Sequence, residues 1–151
     1  RLSDNGKIIN VSSVLGRLGT PFNGAYVSSK FALEGLSESL RHELAPFGVS
    51  VTLVEPGYFD TGFQSSQVRA EKANSPSFPY RDLLNNYLRR SRFIKPSNPD
   101  KVARVIEKII RSRSPRFRYV VGADAKLAIL AKALLPDKLF AYFVRKATIG
   151  K

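Results

Sequence analysis

Tyr26 and Lys30 stand four residues apart in the stretch GAYVSSK, a spacing that puts both on one face of a helix. A phenol alone titrates near ~10 and exchanges protons poorly at neutral pH. An ammonium group beside it stabilises the phenolate, which turns the ring into a usable proton carrier. Ser13 ends the β-branched run KIINVSS upstream, and its hydroxyl can donate a hydrogen bond. Pro56-Gly57 closes another apolar run, VSVTLVEPG. Each mark is weak by itself. Lysine is common, a serine after a strand is by default a turn or cap, and Pro-Gly is by default a turn. They matter only if the fold gathers them.

The intervening sequence indicates how that happens. KIINVSS, residues 7–13, reads as a buried strand, and VLGRLGTPFNGA, residues 14–25, as a loop. From residue 25 to 46, Leu33, Leu36, Leu40 and Leu44 recur at helical steps, so an amphipathic helix is expected, stopped by Pro46 and Gly48. Residues 49–57 read as a second strand. Strand, helix, strand is the unit of a parallel sheet, where ligands bind beyond the carboxyl ends of the strands. Ser13 and Pro56-Gly57 fall at two such ends. Residues 58–98 are polar and weakly periodic, with short helices and loops expected. Residues 100–112 predict a helix capped by Asn98 or Asp100, and 117–122 a third strand. Two amphipathic helices broken at Pro136 complete the reading.

Composition narrows the chemistry. With no cysteine and a single histidine, His42, read as a surface residue, neither disulfides nor the usual zinc ligand sets can be built, and no metal site is expected. The absence of cysteine is compatible with a reducing, cytoplasmic compartment. The net charge of +13 lies wholly in residues 81–151, where eighteen basic residues face five acidic ones. Such asymmetry points to an anionic partner or to a solvated basic face. No nucleic-acid-binding motif accompanies it, so nucleic acid is disfavoured. The opening RLSDNGK carries no leader-like pattern and enters a buried strand abruptly, as a fragment would.

Taken together, IINVSS, YVSSK and PGYFDT, with the helix text between them, closely resemble the short-chain dehydrogenase/reductase family over roughly residues 6–63. The resemblance implies an α/β fold, a Rossmann-like doubly wound parallel sheet of which this is the C-terminal part. It implies an NAD(P)-dependent oxidoreductase acting on a small alcohol or carbonyl substrate. Tyr26 would carry the proton, and Lys30 would stabilise the phenolate and bind the nicotinamide ribose. Ser13 would hydrogen-bond the substrate oxygen. Tyr26, Lys30, Pro56, Gly57, the Phe59 main chain and the Thr61 hydroxyl would hold the nicotinamide of NAD or NADP. Phe59 departs from the family's small β-branched residue.

By the same resemblance, residues 6–63 are the catalytic core and 64–98 a lid over the substrate. Residues 99–122 are a helix and the last strand, and 123–151 the C-terminal amphipathic helices. Phe63, Phe78, Tyr80 and Tyr87 suit a lipophilic substrate or the lid's own packing. Helix 25–46 would pair with its copy in a homo-oligomer, and the basic distal helices fit peripheral membrane contact. The phosphate-binding glycine loop that follows the family's first strand is not in this sequence. Nor is the catalytic asparagine, and Asn5 is not given that role. A catalytically idle assembly module, or a basic module binding nucleic acid or membrane, is the rival reading; joint retention of Ser13, Tyr26 and Lys30 argues against idleness.

Overall fold

The computed structural model describes residues 6–63 and 66–150; Asn5 lies outside the described residues. Three strands, β1 (Lys7–Val11), β2 (Ser50–Pro56) and β3 (Arg118–Val121), form a parallel sheet in the order β1-β2-β3. Register pairs Ile9 with Thr52 and Val54 with Tyr119. β2 is central, and five consecutive residues, Val51 to Glu55, are buried, as expected of a strand covered on both faces. Helix α1 (Gly24–Leu44) makes the first crossover. A 3-10 turn over Glu71–Asn74 and helices α2 (Arg81–Ser91) and α3 (Asp100–Arg111) make the second. Helices α4 (Ala123–Leu134) and α5 (Asp137–Thr148) follow β3, broken at Pro136.

The two faces of the sheet differ. On the α3 face, Val54, Phe59, Ile109 and Val121 form an apolar core flanked by Ile9, Val105, Ile106 and Tyr119. The alternation of a strand turns the next residues, Asn10, Glu55 and Arg118, to the α1 face. That face is polar. Of the leucines that mark α1 as amphipathic, Leu33, Leu40 and Leu44 are half-buried and Leu36 is 56% exposed, while the fully buried residues of the helix are Glu34 and Ser37. Asn10 Nδ2 donates to Ser37 Oγ at 2.9 Å, and Ser37 Oγ donates to the Leu33 carbonyl at 2.6 Å, so polar contacts seat the helix on β1.

Boundaries moved by a residue or two, for local reasons. Ser12 and Ser13 lie beyond β1, although Ser12 N still donates to the Val54 carbonyl at 2.8 Å. α1 stops at Leu44, and a 3-10 turn over Ala45–Phe47 ends on Gly48 with φ 69°, a left-handed position that glycine takes without strain. Asn98 Oδ1 accepts from Asp100 N at 2.8 Å ahead of α3.

Candidate active site

Where β1 and β2 end, their loops meet. Ser13 caps a 3-10 turn over Val14–Gly16: its Oγ accepts from Leu15 N at 3.1 Å and points to the Pro56 carbonyl at 3.5 Å. The default reading of Ser13 as a cap therefore holds locally, and the same hydroxyl lies against the Pro56-Gly57 turn. α1 approaches this corner at Gly16, where a Cβ would meet Ser12 Oγ at 2.7 Å and the Lys30 carbonyl at 3.2 Å. Only glycine permits that separation between turn and helix.

Lys30 spans the gap. Its Nζ donates to the Val11 carbonyl, the last residue of β1, at 3.0 Å and lies 5.6 Å from the centroid of the Tyr26 ring. The i, i+4 spacing thus holds an ammonium against the phenol while tying α1 to the strand end. Tyr26 and Ser13 share no hydrogen bond among the described residues.

Phe63 packs on Tyr26 with ring centroids 5.0 Å apart. Behind them, Asn23 Nδ2 donates to Tyr87 Oη at 2.7 Å, and Phe22 meets the Tyr87 ring at 5.6 Å, so α2 docks on the segment that opens α1. Phe22 holds a left-handed φ of 63°, a conformation that costs a non-glycine residue about 1 kcal/mol or more. Strain is thereby placed one helical turn before Tyr26.

The segment after Gly57 offers main chain more than side chain. Phe59 is buried in the apolar core and bridges to Ser97. Ser97 N donates to the Tyr58 carbonyl at 3.0 Å and Asp60 N to the Ser97 carbonyl at 2.9 Å. Thr61 is exposed, and its Oγ1 accepts from Phe63 N at 3.4 Å.

Two features lay outside the sequence reading. Asp124, in the first turn of α4, accepts from Tyr58 N at 2.7 Å and fixes the turn after Pro56-Gly57. Glu55, fully buried beside Pro56, faces Arg118 and Arg17. A charge inside the apolar run VTLVEP was the available signal, because a buried charge needs a partner.

The architecture and motifs agree with comparisons to known proteins. A family model described as short chain dehydrogenase matches residues 2–72. The 3-ketodihydrosphingosine reductase of Bacteroides thetaiotaomicron is 36% identical over 151 residues, covering 96% of this chain and 55% of that protein. Retinol dehydrogenase 5 of Mus musculus is 40% identical over 147 residues, covering 89% of this chain and 46% of that protein. A short chain dehydrogenase/reductase from Burkholderia phymatum, solved in complex with NAD, superposes with a TM-score of 0.63 at 29% identity, over 92% of this chain and 49% of that one. The chain spans about half the length of the curated relatives it matches. With a parallel sheet whose strand ends gather a serine, a tyrosine–lysine pair and a proline-glycine turn, the chain belongs to the short-chain dehydrogenase family.

Proposed function

We propose that the complete protein is an NAD(P)-dependent oxidoreductase that moves a hydride between a nicotinamide and an alcohol or carbonyl substrate. The observation that carries this reading is Lys30 Nζ, held by the Val11 carbonyl against the Tyr26 ring at the sheet rim where Ser13 meets Pro56. Tyr26 passes the proton to or from the substrate oxygen, and the Lys30 ammonium stabilises the phenolate and hydrogen-bonds the ribose. Ser13 donates to the same oxygen and offsets its developing charge. Pro56, Gly57, the Phe59 main chain and Thr61 hold the nicotinamide, which supplies or accepts the hydride when bound. NAD and NADP both remain within this reading.

The substrate is lipophilic. Phe63 and Tyr80 expose 45% and 58% of their surface on and before the lid, and two relatives are named for acting on a ketodihydrosphingosine and a retinol. The protein works at an anionic membrane surface: Leu127, Leu130, Leu134, Tyr142 and Phe143 are exposed among Lys126, Lys138, Arg145 and Lys146. No helix among the described residues is long and apolar enough to cross a membrane. Phe31, Leu36 and Phe47 are exposed on α1 and the turn after it and pair with a second copy in a homo-oligomer.

The test is turnover of the complete protein with each cofactor against a panel of lipophilic carbonyls and alcohols, beside Tyr26→Phe. That substitution keeps the ring and removes the proton, and turnover should fall at least ~100-fold with folding intact. A Tyr26→Phe enzyme of undiminished rate would refute the assignment. Flotation with anionic vesicles, but not zwitterionic ones, should carry the protein upward; equal recovery with both would refute the charge argument.

A further inference from the structure

We propose that Arg118 is a positioning residue for this reaction: through a buried ionic cluster it holds the three segments bearing Ser13, Tyr26–Lys30 and Pro56-Gly57 in one arrangement. The inference rests on the oxidoreductase reading above. Each of those segments sends at least one charged side chain to the same place. Arg17 lies four residues after Ser13, Glu34 four residues after Lys30, and Glu55 immediately before Pro56.

Arg118, the first residue of β3, joins them. Its Nε lies 3.1 Å from Glu34 Oε2 and 3.2 Å from Glu55 Oε1, and its terminal nitrogen lies 3.3 Å from Glu38 Oε2. Arg17 reaches Glu55 Oε2 at 3.7 Å. The Phe117 ring lies 4.4 Å from the Arg118 guanidinium and 4.7 Å from that of Arg41. A guanidinium is a rigid, planar fork, so the Arg118 hydrogen bonds to Glu34 and Glu38 fix direction as well as distance, and Glu55 is held by ion pairing.

Stability is a poor account of this cluster. Glu55 is wholly buried and Glu34 nearly so, and removing charges from water offsets most of what their pairing returns. Among the described residues, Glu34 Oε1 and both Glu55 oxygens have no hydrogen-bond partner. An apolar pair would fill the same space without that desolvation cost, but it would lack the hydrogen bonds from Arg118 to α1 and the ion pairs through Glu55 that link β2 and the turn after Ser13. A slip of α1 against the end of β2 would carry Tyr26 and Lys30 away from the Pro56-Gly57 turn. A displacement near 1 Å at reacting groups costs about 100-fold in rate.

The experiment uses the complete enzyme and compares wild type, Arg118→Met, Arg118→Lys and Tyr26→Phe, with protiated and C4-deuterated reduced cofactor. For Arg118→Met, kcat should fall roughly 100-fold with the cofactor KM little changed. The deuterium isotope effect on kcat should rise, because a misaligned hydride step becomes rate-limiting. Simple loss of folded enzyme lowers kcat in proportion and leaves the isotope effect where it was. Arg118→Lys keeps the charge without the fork and should recover part of the rate with an isotope effect still above wild type. It supplies the same comparison if Arg118→Met does not fold. An active wild type whose folded Arg118 variants keep its isotope effect, and its kcat per folded molecule, overturns the inference alone. A wild type inactive with both cofactors overturns the oxidoreductase reading and this inference with it.

Discussion

Gly57→Ala should destabilise the protein through Asp124, about 67 residues further along the chain. A Cβ at Gly57 would collide with the Asp124 carboxylate, and one at Gly122, where φ is 110°, would collide with it too. The carboxylate is therefore cradled between two glycines while it accepts from Tyr58 N at 2.7 Å. It can rotate away from an alanine only by giving up that bond. A hydrogen bond to a charged acceptor contributes about 1.5–3 kcal/mol. Alanine returns about 0.4–1 kcal/mol by restricting the unfolded chain. Gly57→Ala should thus cost about 1–2 kcal/mol, and Asp124→Ala about 2 kcal/mol for the same lost bond. The double variant should cost no more than Asp124→Ala alone, because the clash and the bond vanish together. Urea denaturation of the four proteins measures the coupling directly. If the two single costs add, Asp124 is not what keeps residue 57 a glycine.

Glu55 sets a pH dependence. Burial, and then the Glu34 charge, push its carboxyl above the ordinary range, against the pull of Arg17 and Arg118. A carboxyl whose folded pKa is raised holds its proton more tightly in the native state. Its contribution is whole below the ordinary value of 4.5 and is lost as pH rises through the raised one. Wild-type stability minus that of Glu55→Gln should fall as pH climbs from 4.5, and a flat difference would contradict this. A polypeptide of these 151 residues alone should bind NAD(P) weakly, since the sequence contains no glycine loop to receive the pyrophosphate. Tight binding by calorimetry would show that the rim residues suffice.

What could be read from the sequence was local. The β-branched run before Ser13, the helical spacing of Tyr26 and Lys30, and the Pro-Gly stop after β2 are set by neighbours within a few residues. Each lies in the structure near its expected place. Parallel pairing followed from the length of the connection. Tertiary structure alone decided which polar groups went inside. Leucine periodicity marked the inward side of α1, where Leu33, Leu40 and Leu44 are half-buried, yet the residues fully buried there are Glu34 and Ser37, because Arg118, 84 residues from Glu34, and Asn10 meet them. Asp124 reaches the turn after Pro56-Gly57 across 66 residues in the same way. Periodicity registers burial when the buried groups are apolar; a buried charge is settled by a distant partner, and only the assembled sheet brings that partner within reach.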